Sequence, residues 1–173
     1  MADKHAVVRT DKMAGTDVRS KMVSLMYVEK SEEAPAPADI DNGNVVIITP
    51  NLAEGREIYY AVAPTVKADL SMLALIATPE MIYENGKQDI TNFYNEAGIP
   101  ARGYRLTSGD IFSVTAEALD GADSSTKVSS VVELGDTTKL KVVESATEGS
   151  TKIGTIIDIE TVGTHKYFVI EVA

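Results

Sequence analysis

Two histidines are the side chains in this sequence best suited to acid–base or metal chemistry, because the chain contains no cysteine. His5 stands near the N-terminus, and His165 stands at an expected turn near the C-terminus. Neither is accompanied by the Gly-x-Ser-x-Gly motif of a nucleophilic serine, and two widely separated histidines do not form a zinc site. The sequence therefore predicts a protein that is not an enzyme and that holds no metal or other cofactor.

Two short segments contain parts of known ligand-binding motifs. Residues 148–152, Glu-Gly-Ser-Thr-Lys, have the residue types of a phosphate-binding loop but not its spacing. Residues 39–43, Asp-Ile-Asp-Asn-Gly, have two acids near a glycine but lack the other oxygen ligands of a calcium loop. Both segments are predicted to form turns.

The composition of the chain argues against nucleic acid and membrane partners. It has 16 Lys and Arg against 26 Asp and Glu, a net charge of −10, and no basic run that could follow a phosphate backbone. Aromatic residues make up only 6% and tryptophan is absent, which disfavours a surface for stacking bases or sugars. The sequence has no apolar run of membrane-spanning length, and its N-terminus lacks the apolar core of a signal peptide. We expect neither nucleic acid nor a membrane as partner.

Charge divides the chain into an N-terminal arm and a body. Residues 1–30 hold six basic and four acidic residues, whereas residues 31–173 hold 10 basic and 22 acidic ones. Within the arm, Met22–Val28 is an apolar run with β character, either an edge strand of the body or a segment that becomes ordered only against a partner. Residues 31–43, with alternating Ala and Pro, predict an extended linker. The body is therefore expected to span residues 44–173.

The body is made of short apolar segments separated by Gly, Pro, Asn and Asp, which is typical of an all-β domain. Their spacing of about 10 residues favours a β-barrel or a β-sandwich. The body is either one barrel or two small lobes that divide near Gly121. The predicted strands are 45–49, 58–62, 70–77, 103–106, 111–119, 128–134, 140–143, 151–159 and 167–172.

One short helix is predicted over residues 89–97. Its apolar stripe has helical spacing and consists of Ile90, Phe93, Tyr94 and Ala97. Asp89 is placed to cap the first turn, and Gly98 is placed to end the helix in the left-handed conformation. Pro100 prevents the helix from resuming.

Two arginines, Arg102 and Arg105, flank Gly103 and Tyr104 shortly before an acidic turn at Asp110. One interpretation is an ion pair within the chain, across the end of the strand. The other is a contact with an acidic neighbouring subunit, because Arg and Tyr are enriched at protein–protein interfaces. Together with residues of the arm, the predicted interface consists of Arg9, Arg19, Met22, Leu25, Met26, Tyr27, Arg102, Tyr104 and Arg105.

Two parts of the body carry a resemblance to a known family. Within residues 89–119 the sequence reads Ala-Arg-Gly-Tyr-Arg-Leu at 101–106 and Ser-Gly-Asp-Ile-Phe-Ser-Val-Thr at 108–115. Near the C-terminus it reads Gly-Thr-Ile-Ile-Asp-Ile-Glu at 154–160 and Lys-Tyr-Phe-Val-Ile-Glu-Val at 166–172. With these segments, most of the body resembles small head-associated proteins of tailed phages and prophages from Gram-positive-type hosts, encoded near the major capsid protein.

The resemblance implies a capsid decoration (cement) protein that docks on the outside of the major capsid protein shell and stabilises it. It also implies a virion location after synthesis in the host cytoplasm, and a homo-oligomer, with a trimer as the expected form. An arm that reaches neighbouring subunits and becomes ordered on contact is consistent with this role. Two alternatives stay open: a tail-tube or head–tail joining subunit, and a β module that binds the host surface.

Overall fold

The computed structural model describes residues 5–9, 21–29, 36–55, 57–82 and 89–173. Strands account for 49% of these residues and helices for 7%, which confirms the mainly β fold. The strands are β1 (Met22–Glu29), β2 (Ala36–Pro37), β3 (Val45–Glu54), β4 (Ile58–Val62), β5 (Leu73–Ile76), β6 (Ala101–Arg105), β7 (Ile111–Thr115), β8 (Leu119–Asp120), β9 (Val131–Leu134), β10 (Leu140–Val143), β11 (Lys152–Val162) and β12 (His165–Val172).

The first sheet is a closed five-stranded barrel with the strand order β1-β4-β3-β5-β6. Pairing of β1 with β6 closes the ring and places Leu25 opposite Ala101. On its other side β1 runs parallel to β4, with Leu25 opposite Tyr59. The barrel encloses a small apolar core made of Leu25, Ile40, Val46, Ile48, Ala61, Ala74, Ile76 and Ala101.

The second sheet is a half-barrel with the strand order β7-β12-β11-β9-β10-β8. A larger apolar core joins the two sheets, with Phe112 and Ile170 of the half-barrel in the same cluster as Leu73 and Leu75 of the barrel. The chain passes from one sheet to the other between β6 and β7. It does not divide near Gly121, which follows β8 inside the half-barrel region.

The helix predicted over residues 89–97 is wrong in extent. The segment forms a single 3₁₀ turn at Ile90–Asn92. Asp89 caps this turn as predicted, its carboxylate accepting a hydrogen bond from a backbone N–H at 3.0 Å. Gly98 also has the expected left-handed backbone, with a φ of 78°. The start signal was therefore interpreted correctly, whereas the predicted stop at Gly98 is wrong, because the 3₁₀ turn already ends at Asn92.

A buried polar network explains why this helix does not form. Asn95 is 6% exposed and forms a β-bridge with Ile40, which requires extended backbone in both segments. The Asn95 amide donates to the Ile40 carbonyl at 3.0 Å and to Asn42 Oδ1 at 3.2 Å. Asn42 in turn donates to the Thr78 carbonyl at 2.7 Å and accepts from the Thr78 N–H at 3.0 Å. These tertiary hydrogen bonds outweigh the local helical pattern.

The predicted boundary between arm and body at residue 30 is wrong for β1. This strand pairs with β4 on one side and with β6 on the other, so it is neither an edge strand nor a segment that orders only against a partner. Leu25 is fully buried in the barrel core. An apolar run with β character indicated the strand, but such a run carries no information about which strands pair with it. The arm residues 1–4 and 10–20 lie outside the described residues.

The predicted linker, residues 31–43, also belongs partly to the body. β2 pairs with the end of β1, and Ile40 and Asn42 are buried. Burial of Asn42 is possible because its amide is fully engaged with backbone and side-chain partners. Residues 31–35 lie outside the described residues.

Candidate protein-binding cleft

A cleft with a volume of about 540 Å³ lies where β1 and β4 begin and β6 ends. We term it the barrel-end cleft. Three of its residues, Met22, Arg102 and Arg105, were predicted as interface residues from the sequence. The described residues that line it are Met22, Val23, Ser24, Glu57, Tyr59, Arg102 and Arg105.

The pairing of β1 with β6 brings these distant segments to one surface. Ser24 of β1 lies opposite Arg102 of β6. The next residue of β6, Gly103, has no room for a side chain, because a Cβ there would collide with the Leu25 side chain. Glycine at this position lets the two strands approach and closes the barrel beneath the cleft.

The two arginines of the cleft form no ion pair with any residue in the described part of the chain. The predicted partner, Asp110, is instead paired with Lys21 and accepts a hydrogen bond from the Thr107 N–H at 2.8 Å. The ion-pair interpretation of Arg102 and Arg105 is therefore wrong. Lys21 occupies the carboxylate because it immediately precedes β1, whose pairing with β6 leaves it beside the turn at Asp110.

Apolar surface accompanies these charges. Met22 is 44% exposed, and Tyr59 is half-buried and packs against the barrel core. Arg, Tyr and Met are residue types enriched at protein–protein interfaces, where flexible thioethers and planar groups adapt to a partner. Among the lining residues that the structure describes, Glu57 is the only acidic one. The cleft is suited to a partner that presents carboxylates beside apolar side chains.

Two further predicted residues extend along β1 away from the cleft. Met26 and Tyr27 are half-buried, and Tyr27 packs against the barrel core. Burial raises the pKa of the Tyr27 phenol, and the nearby Glu29 carboxylate raises it further. Both effects keep the ring neutral.

The remaining predicted interface residues lie away from the cleft. Leu25 is fully buried in the barrel core, so its prediction as a contact residue is wrong. Tyr104 packs against the core between the two sheets. Arg9 lies over the ring of Tyr167, with its guanidinium carbon 5.4 Å from the ring centre. Arg19 lies outside the described residues.

The structure also brings together residues that sequence analysis did not connect. His5 Nδ1 lies 2.9 Å from Asp41 Oδ1, and the His5 ring stacks on Tyr94 with 4.8 Å between ring centres. These three residues line a second cleft of about 350 Å³. No sequence signal predicts this contact, because His5 and Asp41 belong to segments without periodic pattern. The described ranges contain no group of three or more His, Cys, Asp and Glu residues placed to hold a metal ion.

Glu133 is a second residue that the sequence did not single out. It is 1% exposed, and its Oε2 accepts a hydrogen bond from the Thr147 N–H at 2.9 Å. Its other oxygen lies 3.9 Å from Lys141 Nζ. Glu133 thus ties the loop between β10 and β11 to the half-barrel.

Comparisons with known proteins give no assignment. No family model matches the chain. No curated protein and no solved structure matches it either. Within the described residues, no helix has the length and apolar character needed to cross a membrane.

Proposed function

We propose that this protein is a decoration protein of a tailed-phage head. It binds the outside of the shell formed by the major capsid protein and stabilises that shell, as part of the virion. It is made in the host cytoplasm and docks as a homo-oligomer, with a trimer as the expected form. The arm residues before β1 reach neighbouring subunits, except Ala6, Val7 and Val8, which are buried in the body.

The observation that carries this proposal is the pair of arginines in the barrel-end cleft. In a chain with a net charge of −10, two guanidinium groups without a described ion-pair partner lie beside an exposed methionine. A charged group left without a partner in a folded chain is available for a partner molecule. A docking role accounts for this arrangement, and the resemblance in residues 101–106 supplies the kind of partner.

The segments that resemble phage head proteins also contribute to the barrel-end cleft and to the turn beside it. Residues 101–106 form β6 and line the cleft, and residues 108–115 form the turn that holds Lys21 together with β7. Residues 154–160 and 166–172 form most of the β11–β12 hairpin. The resemblance thus covers one surface strand of the barrel and three strands of the half-barrel.

Co-sedimentation with undecorated phage shells on a density gradient tests the proposal. The double variant Arg102→Glu/Arg105→Glu should bind at least tenfold more weakly, which corresponds to about 1.4 kcal/mol. The matched control Lys127→Glu/Lys152→Glu makes the same change in net charge at two exposed residues of the half-barrel region and should bind like wild type.

Saturable binding of wild type and control with loss in the arginine variant would support the proposal. Equal binding by all three proteins would refute the role of the cleft. Absence of binding by the wild type would refute decoration. Because Arg102 is exposed and Arg105 is half-buried, circular dichroism should show that the variant stays folded.

A tail-tube or head–tail joining subunit is the second candidate, and the outer edge of β11 favours it. β11 pairs with β9 only from Lys152 to Thr155. Beyond that, residues 158–162 have no strand on this side in the described part of the chain. Tube subunits join through continued sheets at such edges. Rings or tubes of the purified protein in negative stain would favour this candidate over decoration.

A further inference from the structure

Residues 5–9 lie along the open side of β7 and pair with it through an isolated β-bridge. Val8 is bridged to Val114 in antiparallel orientation. The Arg9 N–H donates to the Ser113 carbonyl at 2.8 Å, and the Thr115 N–H donates to the Val7 carbonyl at 3.0 Å. The segment therefore continues the half-barrel past β7, which would otherwise be its edge.

The side chains of this segment are buried in the body to which its backbone is hydrogen-bonded. Ala6, Val7 and Val8 are each at most 2% exposed, and Ala6 and Val8 belong to the core that joins the two sheets. His5 at one end pairs with Asp41. We term residues 5–9 the donor segment and the surface beside β7 that receives it the β7 groove.

Each of these contacts joins the donor segment to the groove, and the groove does not depend on how the segment is connected to the barrel. The same bonds form whether the segment comes from the same chain or from another copy. A segment of this kind can exchange between copies at almost no cost in contact energy. The length of the connection then decides whether the segment comes from the same copy or from a neighbouring one.

The connection is much longer than the path within one copy requires. It consists of residues 10–20, 11 residues between Arg9 and Lys21. The Arg9 N–H is hydrogen-bonded to Ser113, and Lys21 is paired with Asp110. The two ends of the connection are therefore held by residues that lie three positions apart in the sequence, at and just before β7. Three residues of strand span about 10 Å, whereas 11 residues can span about 36–40 Å.

That reach is about the diameter of one copy. A chain of 173 residues has an expected radius of gyration of about 16 Å, which for a compact body corresponds to a diameter of about 40 Å. A connection that can extend this far can place the donor segment in the β7 groove of a copy that lies against the first. Because a connection of this length gives an effective concentration in the millimolar range within one copy, exchange requires copies held close together or a comparable protein concentration.

We propose that the donor segment is exchanged between copies of this chain, so that residues 5–9 of one copy fill the β7 groove of a neighbour when copies are crowded or assembled. The occupant of the groove is a second copy's N-terminus, whose side chains fit this surface. The inference rests on the geometry at β7 and is independent of the decoration role. Failure of shell binding would leave it standing.

Cysteine cross-linking tests the exchange directly, because the natural chain contains no cysteine. The hydrogen bonds of Arg9 and Thr115 flank the bridge, so Val8 and Val114 form a non-hydrogen-bonded pair. In such pairs the Cα atoms are about 4.5 Å apart, within the range that a disulfide spans. Single variants Val8→Cys and Val114→Cys, mixed and refolded together at about 1 mM, can join through this pair only between copies.

The mixture should give a disulfide-linked species at twice the 18.5 kDa mass of the chain. Neither single variant oxidised alone should give it in comparable amount, and a tenfold dilution before oxidation should lower its share several-fold. The double variant Val8→Cys/Val114→Cys reports whether the pair can cross-link at all. A mixture of Thr155→Cys and Glu171→Cys, which face each other in the β11–β12 hairpin, is the control for random joining.

Exclusive cross-linking within single chains of the double variant, with no joined species in the mixture at about 1 mM, would overturn the exchange. Failure of the double variant to cross-link would also overturn it, since the donor segment would then not occupy the groove. Equal joining in the control mixture would do the same. Joining that is specific to the Val8 and Val114 variants establishes the exchange.

Discussion

Truncation of Leu25 tests whether β1 is part of the folded barrel or a detachable arm. Leu25 is fully buried and belongs to a barrel core of only eight buried residues. Replacing a buried leucine with alanine costs about 2–5 kcal/mol, because the transfer energy is lost and a cavity is left. For a chain of this length that corresponds to a fall in Tm of about 4–20 °C.

Urea denaturation of Leu25→Ala, Met26→Ala and wild type measures the effect through the midpoint at constant slope. Met26 is the adjacent residue of β1 and is only half-buried, so Met26→Ala is the matched control and should cost about 1 kcal/mol or less. Equal midpoints for Leu25→Ala and wild type would refute the closed barrel, because a leucine in a detached arm contributes nothing to unfolding.

A double-mutant cycle with Gly103 sharpens the test. Gly103→Ala should destabilise the wild type, because the added Cβ collides with the buried Leu25 side chain. In the Leu25→Ala background the same change fills space that the leucine has vacated. We expect the double variant to be more stable than the sum of the single effects predicts, with a coupling of about 0.5–3 kcal/mol. Strict additivity would show that β1 and β6 are not in contact.

Two further predictions concern titratable side chains. Glu133→Ala should destabilise by about 1–3 kcal/mol, because it leaves the Thr147 N–H without its acceptor, whereas Glu133→Gln keeps an acceptor and should cost less. Urea midpoints and hydrogen exchange of the Thr147 amide measure this, and equal effects of Ala and Gln would contradict the hydrogen bond. For Tyr27, burial raises the phenol pKa above its usual value near 10. The folded state therefore holds the proton more tightly than the unfolded state, and stability falls as pH rises above about 10. The fall should be shallower in Tyr27→Phe when urea midpoints are compared between pH 8 and 11, and identical pH profiles would contradict this prediction.

Local patterns predicted most of the strands. The bounds of β4 at Ile58–Val62 and of β10 at Leu140–Val143 match the sequence prediction, because turn residues interrupt short apolar runs on both sides. The strand predicted over 111–119 is instead β7 followed by a 3₁₀ turn at Ala116–Ala118. Small residues in that turn sustain the alternation of the pattern, although the backbone leaves the sheet.

Long-range pairing could not be predicted from one sequence. An apolar run like that of β1 occurs both in edge strands and in strands that pair on both sides, so the sequence does not distinguish the two. Residues 89–97 have a helical stripe, yet the partners of Asn95 lie more than 50 positions earlier in the chain. Tertiary hydrogen bonds of this kind are invisible to a window of 11–18 residues.

The cleft was only partly predictable for the same reason. Arg102, Arg105 and Met22 were selected by residue type, which is a local property. The arginines are available to a partner molecule only if another cation pairs with Asp110, and Lys21 is that cation. Glu57 and Tyr59 enter the cleft only because β4 lies beside β1, and no local signal marks them.

Closure of the barrel by its earliest strand has a consequence for folding during synthesis. β1 must wait for β6, which emerges roughly 70 residues later, so at typical translation rates its edge that faces β6 stays unpaired for about 4–14 s. In the half-barrel, the β9–β10 and β11–β12 hairpins are local, whereas β7 pairs with β12, the last strand. The distant β1–β6 and β1–β4 contacts raise the contact order, which slows folding. We therefore expect pairing of β1 with β6 to be a slow step in refolding, later than formation of the β9–β10 and β11–β12 hairpins.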